Sequence, residues 1–242
     1  ETADGYSFLA MEYLKGEELF ERLYGGEGFS PLEAVRVVLE ILAGLKAVHE
    51  SGFIHRDLKP ENIYFSQGAE YGDEVVKLLD FGIAKRRDQK SDPFLSVVGK
   101  IYGTPEYISP EQGLNPDVDE RADLYSVGVI LYECLTSTLP FEAESAYAII
   151  LAHQNHPVPR LPAIIDKDLA AIVYKSMEKK AENRYQTAAD MILELRDWQD
   201  MQSGALFPET GERARLIPHT PSQGSPKADP KLSSSSAAGG HV

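Results

Sequence analysis

Four polar residues of this 242-residue sequence have side chains that could carry out chemistry if folding brought them together. Asp57, Lys59 and Asn62 are near neighbours, and Asp80 follows Asn62 by eighteen residues. A carboxylate can accept a proton, carboxylate and amide oxygens suit a hard cation, and a lysine supplies a point charge. A lone aspartate in a loop is more often a turn former or a helix cap. The chemical interpretation therefore depends on the whole group.

A long helix is predicted directly before this group. Ser30 and Glu33 have the spacing of a capping box, Pro31 suits the first helical position, and Gly52 is a stop signal. The polar residues of the segment form one narrow stripe, so most of its surface must face protein. The sequence therefore predicts a long, mostly buried helix.

The other predicted elements are shorter. Strands are predicted at 7–13, 62–65 and 75–79, and a short helix begins near Glu17. Further helices are predicted at 123–135, 145–154, 168–180 and 187–201. The predicted fold class is mainly α with a small β element.

Four motifs occur in an order that points to one family. They are HRDLKPEN at 55–62, Asp80-Phe81-Gly82, GTPEYISPE at 103–111 and DLYSVG at 123–128. They resemble the catalytic loop, the metal-binding motif, the end of the activation segment and the central helix of eukaryotic-type serine/threonine protein kinases. The resemblance extends from about residue 7 to residue 201 and implies a kinase C-terminal lobe with a hinge strand.

The resemblance implies a role for each member of the first group. Asp57 would orient the substrate hydroxyl and accept its proton, and Lys59 would place a charge beside the transferred phosphate. Asn62 and Asp80 would hold the Mg²⁺ of Mg-ATP, since this cation prefers oxygen ligands. Lys59 and Thr104 also match the serine/threonine class rather than the tyrosine kinases.

Nucleotide contacts are implied at a hinge near the start of the chain. Met11 would be the gatekeeper, and the backbone groups of Glu12 and Leu14 would bond to adenine. Tyr64 falls where the family has a floor under adenine, and Glu18 where a carboxylate meets ribose or a basic substrate residue. An ordinary buried strand is the alternative interpretation of the hinge sequence.

Regulation by phosphorylation is implied by Arg56, because an arginine beside the catalytic base pairs with a phosphate on the activation segment in many family members. Ser96 is the expected acceptor. Ser91 and Tyr102 are less favoured, and a solvated loop serine without regulatory function is the alternative for Ser96.

Several residues of the motifs are expected to be structural. By resemblance, Asp123 should be buried and bonded to backbone amides of the catalytic loop, and His55 should be a packed histidine rather than a base. Glu111 and Arg184 resemble a buried ion pair that ties the activation segment to the helices.

Protein substrates are favoured over small molecules, because the activation-segment motif has no purpose in a small-molecule phosphotransferase. Glu61 and Glu133 align with acids that some kinases use to recognise arginine, although many members keep them for structural reasons. A non-catalytic binding or scaffold module is the alternative function. Loss of Asp57, Asn62 or Asp80 would have favoured it, and all three are present.

The domain organisation is predicted from motif content and composition. We expect a kinase domain at 1–202, truncated at its N-terminus, because the family's glycine-rich loop and its lysine–glutamate pair have no counterpart here. Such a fragment would have little activity alone. Residues 203–242 are rich in serine, proline and glycine, which predicts a disordered tail or linker.

Composition limits the remaining possibilities. A hydrophobic content of 43% supports a sizeable core, and a net charge of −14 disfavours nucleic acid as a partner. Cys134 is the single cysteine, so no disulfide within the chain can form, which fits a reducing compartment. We expect a cytoplasmic domain that a segment outside this chain could tether to the membrane, since SPEQ at 109–112 resembles bacterial members that carry such an anchor.

Overall fold

A computed structural model describes residues 11–26, 28–67, 74–80, 104–115 and 118–204, and the backbone alone at 85–86. The described residues belong to one unit, Glu1–Phe207. The predictions for Phe81, Gly82, Ser91, Ser96 and Tyr102, for the first part of the strand at 7–13 and for the tail from residue 205 lie outside the described residues.

Two helices form the centre of the fold. Helix α2, Pro31–Glu50, starts as predicted with a capping box in which the Glu33 amide donates to Ser30 Oγ and the Ser30 amide donates to the Glu33 carboxylate. Helix α3, Arg121–Thr136, is buried at every residue from Ala122 to Cys134. A helix that is buried all round must lie at the core, and α2 packs directly against it.

The remaining helices enclose this pair. They are α1 (Leu19–Gly25), α4 (Ala146–Asn155), α5 (Lys167–Ser176) and α6 (Ala188–Gln202). Helix α6 packs on α2 and α5, and Trp198 of α6 donates to the Asp166 carboxylate that caps α5. All the predicted helices are present. Helix α5 ends at Ser176 rather than Lys180, because the Glu178 amide donates to the Lys175 carbonyl, three residues back, instead of the Tyr174 carbonyl that would continue the helix.

The strands among the described residues are short, and all of them pair in antiparallel fashion. They are β1 (Gly16–Glu18), β2 (Phe53–Ile54), β3 (Ile63–Gln67), β4 (Glu74–Leu78) and β5 (Lys85–Arg86). One sheet has the order β1-β3-β4, and β2 pairs with β5. Gly16 has a φ of 151°, and a Cβ placed there would lie 1.7 Å from the Phe65 carbonyl oxygen, so only glycine fits β1 against β3 at this point.

The fold class predicted from sequence, mainly α with a small β element, is confirmed. The strands predicted at 62–65 and 75–79 are β3 and β4, each shifted by a residue or two at its ends. The strand predicted at 7–13 is wrong for its described part, since residues 11–13 form no strand. Met11 and Tyr13 are 69% and 86% exposed there. A strand needs a partner for its backbone groups, and none of the described strands pairs with these residues.

Candidate active site

Asp123, in the first turn of α3, fixes the start of the catalytic loop. Its buried carboxylate accepts hydrogen bonds from the backbone amides of His55 (2.9 Å) and Arg56 (2.8 Å). The ring of His49, at the end of α2, donates to the same carboxylate at 2.8 Å. The expected contact of Asp123 with loop amides is therefore present, and His55 is fully buried as a structural histidine should be.

The residues Asp57, Lys59 and Asn62 meet in space. The Asn62 side-chain nitrogen donates to the Asp57 carbonyl at 2.8 Å and to Asp57 Oδ2 at 3.3 Å. Lys59 Nζ lies 3.9 Å from the same Oδ2. The short 3₁₀ turn Pro60–Asn62 directs the Asn62 side chain back towards Asp57. Asp57 is thus held between an amide and an ammonium group.

Strand β4 brings Asp80 to this group through the residue before it. The Leu79 amide donates to the Asn62 carbonyl at 2.8 Å, and the His55 ring donates to the Leu79 carbonyl at 3.0 Å. Asp80 itself is exposed and has a φ of 52°. The backbone contacts therefore place the Asp80 residue beside Asn62 at the edge of the site.

Left-handed backbone is concentrated at this site. Among the described residues, positive φ outside glycine occurs at Arg56 (69°), Asp80 (52°) and Ser137 (54°). Arg56 directly precedes Asp57, and Asp80 lies beside Asn62, whereas Ser137 ends α3. Such conformations persist only where surrounding contacts enforce them, and they are enriched at functional sites.

The chemistry of the donor set fits magnesium. Both hydrogens of the Asn62 amide are directed to Asp57, which leaves its oxygen for a cation, and the exposed Asp80 carboxylate adds oxygen ligands. The described part of the chain contains no cluster of three or more His, Cys, Asp or Glu side chains suited to a metal. The pair Asn62 and Asp80 thus resembles a magnesium site completed by other oxygen donors rather than a protein cage.

The end of the activation segment contacts the catalytic group directly. Lys59 Nζ donates to Thr104 Oγ1 at 2.9 Å. The next residues form the 3₁₀ turn Pro105–Tyr107, which is held to α3 because Ser126 Oγ donates to the Tyr107 carbonyl at 2.7 Å. Lys59 therefore faces both the aspartate and the activation segment.

Arg184 and Glu111 form the expected ion pair. Two N–H···O contacts of 2.7 Å join the guanidinium to the Glu111 carboxylate. The other donors bond to the carbonyls of Glu178, Lys179 and Arg121, so all five N–H groups of a side chain with no exposed surface are used. The pair anchors the segment after Thr104 to the loop before α6.

The hinge residues are placed differently from the catalytic ones. Met11 is exposed, which contradicts the alternative of an ordinary buried strand, and its role as a gatekeeper stays a prediction. Glu12 pairs with Lys77 of β4 at 2.5 Å, and Leu14 is half-buried. The structure therefore joins Glu12 to the sheet edge and does not place Met11 beside the Asp57 group.

Tyr64 and Glu18 are brought together as partners in the β1–β3 register. The Tyr64 hydroxyl donates to the Gly16 carbonyl at 2.8 Å, and the Glu18 amide donates to the Glu21 carboxylate at the start of α1. Both side chains are half-buried on the strand pair that leads into the catalytic loop.

Glu133 is surrounded by tyrosines and acids. Its two oxygens accept hydrogen bonds from Tyr24 (2.6 Å) and Tyr107 (2.8 Å). Burial raises the pKa of Glu133, the two tyrosine hydrogen bonds lower it, and nearby Glu61 and Glu106 raise it. One buried oxygen each of Glu61 and Glu106 has no hydrogen-bond partner among the described residues. The structural role that the sequence left open for Glu133 fits these contacts.

Sequence reasoning did not single out His49 or Tyr24. His49 is the second residue from the end of a predicted helix, where a histidine is usually explained by the helix dipole. Tyr24 is one of several aromatic residues with no distinctive spacing. Their roles depend on the contacts with Asp123 and Glu133, residues far away in the sequence, so no local signal indicated them.

Comparison with known proteins places the chain in a family. Residues 2–197 match the protein kinase domain. The chain is 39% identical over 201 residues to the serine/threonine-protein kinase pkn3 of Myxococcus xanthus, covering 81% of this chain and 37% of that protein. It is 37% identical over 193 residues to PknH of Mycobacterium bovis, covering 78% of this chain and 31% of that protein.

A third relative shows the same relation. The chain is 36% identical over 199 residues to PknB of Mycolicibacterium smegmatis, covering 81% of this chain and 31% of that protein. The chain therefore belongs to the protein kinase family and is similar to bacterial serine/threonine kinases. It spans about a third of the length of these curated relatives. None of the described helices is long and apolar enough to cross a bilayer.

Proposed function

We propose that this protein is a serine/threonine protein kinase that transfers the γ-phosphate of ATP to hydroxyl groups of proteins. The observation that carries the proposal is the assembly of Asp57, Lys59 and Asn62 into one hydrogen-bonded group that also includes Thr104. Family membership and the names of the relatives support it. A binding module without catalysis would need none of this arrangement.

Asp57 is the group that handles the substrate hydroxyl. Its carboxylate is partly exposed, and the Asn62 and Lys59 contacts fix its orientation. A carboxylate held in this way orients the hydroxyl and accepts its proton as the new O–P bond forms. Because Lys59 lies 3.9 Å away, its positive charge is available to the phosphoryl oxygens on which charge is concentrated.

Asn62 and Asp80 are the residues that would hold Mg²⁺. The cation, when bound, neutralises phosphate charge and orients the transferred group. The protein contributes an amide oxygen whose direction is set by the Asp57 bonds and a carboxylate set by the left-handed backbone of Asp80. Glu12, Leu14, Glu18 and Tyr64 are the proposed contacts to the nucleoside, with Met11 at its margin.

Acceptor sequences with a basic residue fit the acidic surroundings of Glu61. Glu61 and Glu106 are half-buried residues near Glu133, whose own two oxygens are occupied by tyrosines. A substrate guanidinium would satisfy such carboxylates by charge-assisted hydrogen bonds. We therefore assign recognition of a basic residue to Glu61 and Glu106 rather than to Glu133.

We further propose that these 242 residues, taken alone, transfer phosphate slowly. In the family, a glycine-rich loop and a lysine–glutamate pair hold the ATP phosphates, and residues 1–242 contain no counterpart of them. Positioning and charge stabilisation supply much of the rate of phosphoryl transfer. The remaining general-base contribution is on the order of 10²- to 10⁴-fold.

The test is transfer of labelled γ-phosphate from Mg-ATP to serine- and threonine-containing peptides over a long incubation. We expect slow transfer that falls by about 10²-fold or more in Asp57→Asn. Asp197→Asn, a change of the same kind at an exposed position of α6, should retain it. Transfer that is unchanged in Asp57→Asn would overturn the assignment. A rapid burst of transfer that depends on Asp57 would support the proposed kinase activity. It would contradict the proposal that these 242 residues transfer phosphate slowly when taken alone.

A further inference from the structure

Gln112 joins the end of the activation segment to the catalytic loop. Its side-chain nitrogen donates to the Arg56 carbonyl at 2.9 Å. Its side-chain oxygen accepts from the Ser109 amide at 3.1 Å, and its own amide donates to Ser109 Oγ at 3.4 Å. One side chain therefore closes a local turn and reaches a residue fifty-six positions away in the sequence.

The carbonyl that Gln112 bonds belongs to a constrained residue. Arg56 has a φ of 69°, in the left-handed region that residues with a Cβ rarely adopt. Its amide is fixed by the buried Asp123 carboxylate at 2.8 Å, and its carbonyl by Gln112. The peptide groups on both sides of the Arg56 Cα are thus held by side chains from two other segments.

The second of these peptide groups is the one that joins Arg56 to Asp57. The Arg56 carbonyl and the Asp57 amide share one planar unit, so a hydrogen bond that fixes the carbonyl also fixes the plane in which Asp57 begins. Gln112 is itself anchored, because the neighbouring Glu111 forms two 2.7 Å contacts with buried Arg184. The direction of Asp57 therefore depends on the docking of the Ser109–Gln112 turn.

We propose that Gln112 is a positioning residue for the catalytic aspartate. It couples the anchored end of the activation segment to the geometry of Asp57. Gln112 does not contact the reacting groups and acts through the Arg56 peptide. The expected effect of Gln112 on phosphate transfer rests on the proposed kinase function. Its expected effect on the geometry of the loop rests on the hydrogen bonds alone.

Gln112→Glu separates this role from the local turn. A glutamate keeps an oxygen that accepts from the Ser109 amide and keeps the backbone contact to Ser109 Oγ. It has no N–H for the Arg56 carbonyl and places a negative charge against it. Gln154→Glu is the matched control, because the Gln154 side chain donates to the Pro110 carbonyl at 3.3 Å and touches no catalytic-loop residue in the described structure.

The first measurement is amide hydrogen exchange of the 242-residue chain, which needs no kinase activity. We expect the Arg56 amide to exchange about fivefold faster or more in Gln112→Glu, because loss of the hydrogen bond at the Arg56 carbonyl makes local opening of this loop easier by about the contribution of one hydrogen bond. The Arg184 amide, bonded to the Ala181 carbonyl, should be unchanged in both variants. Gln154→Glu should leave the Arg56 amide at the wild-type rate.

The second measurement is phosphotransfer, with kcat and KM separated. Gln112→Glu should lower kcat by about fivefold or more while KM for Mg-ATP stays within about twofold, because the nucleotide ligands are unchanged. If Gln112→Glu lost activity only because less of it is folded, then Gln154→Glu of the same stability would lose activity to the same extent. If wild type shows no transfer, the kinase proposal fails, and the exchange experiment still decides the role of Gln112.

Wild-type protection of the Arg56 amide in Gln112→Glu would overturn the proposal. If that variant does not fold, Gln112→Met replaces it, because methionine has a similar volume and lacks both the donor and the acceptor. Faster Arg56 exchange in folded Gln112→Met, with Arg184 unchanged, would support the proposal. An unchanged Arg56 amide in this variant would also overturn it.

Discussion

The catalytic loop at 55–62 is connected to the fold through buried groups, whereas the hinge segment at 11–14 is connected mainly through exposed ones. Asp123, with 1% of its surface exposed, accepts from two loop amides and from His49. The hinge segment holds Glu12 to Lys77 by an ion pair whose carboxylate side chain is 67% exposed. Buried polar contacts are enforced by the penalty of breaking them, and exposed ion pairs are not.

The comparison shows that the half of the candidate site around Asp57 is assembled by the helical core itself. Its supporting residues, Asp123 and Arg184, lie on or beside helices whose burial fixes them independently of any ligand. The half formed by the hinge segment lacks such support among the described residues. Perturbations of the first half should therefore change the stability of the whole fold, and perturbations of the second should not.

The largest effect is expected from Glu111→Gln. The change leaves the fully buried Arg184 guanidinium without its counter-charge, which typically lowers the free energy of unfolding by about 3 to 5 kcal/mol. Urea-induced unfolding of wild type and variant measures the difference. A loss below about 1 kcal/mol would mean that the pair is screened like a surface ion pair, and the contrast between the two regions would weaken.

A pH-dependent effect of similar size is expected from His153. Its ring is buried, donates to the Glu106 carbonyl and accepts from the Tyr125 hydroxyl, both at 2.9 Å. Burial, helped by the charge of Lys179, lowers the pKa of His153 to about 4. The folded protein therefore resists protonation that the unfolded chain accepts.

The sign follows from this difference in proton affinity. The stabilisation is fully present above pH 6.5, and as the pH falls from 6.5 to about 4 the unfolding free energy should decrease by about 3 kcal/mol through this group. His153→Gln should remove that part of the slope, measured by urea unfolding at several pH values. Equal slopes in the two proteins would contradict the buried, neutral state of His153.

A smaller effect is expected from Asp123→Asn. The amide cannot accept from His55, Arg56 and His49 as the carboxylate does, and its own N–H groups would face donors. Loss of such contacts typically lowers stability by about 1 to 3 kcal/mol. Chemical unfolding should show this loss, and exchange of the Arg56 amide should become faster than in wild type. Unchanged stability and exchange would show that the loop is held by other contacts.

The smallest effect is expected in the hinge segment. Glu12→Gln removes an exposed ion pair with Lys77, which should change the unfolding free energy by less than about 1 kcal/mol. The same urea titration provides the measurement. A loss of unfolding free energy as large as that of Glu111→Gln would show that both regions contribute equally to stability, which would contradict the comparison.

The sequence predicted the helical half of the site better than the hinge because their signals differ in kind. The capping box at Ser30 and Glu33, the buried helix around Asp123 and the pairing of Glu111 with Arg184 follow from local patterns or family-specific motifs, and the structure contains all three. The strand predicted through 11–13 depended on apolar residues alone, and such residues form a strand only where a partner is available.

The contacts of His49, Tyr24 and Gln112 could not be predicted for a different reason. Each joins a residue of unremarkable type to a group that is distant in the sequence and near only after folding. No spacing rule identifies such pairs in a single sequence. The polar network around the catalytic loop therefore becomes visible only when the helices have been packed.

Paramagnetic broadening by Mn²⁺ is the measurement that tests the central claim most directly, namely that the helical core holds a divalent cation beside Asp57. Manganese prefers the same oxygen ligands as magnesium, so Mn-ATP should broaden the amide signals of Asn62 and Asp80 first. The effect should disappear in Asp80→Ala. Broadening that persists in Asp80→Ala, or that appears first elsewhere, would contradict the assignment of Asn62 and Asp80 as cation ligands.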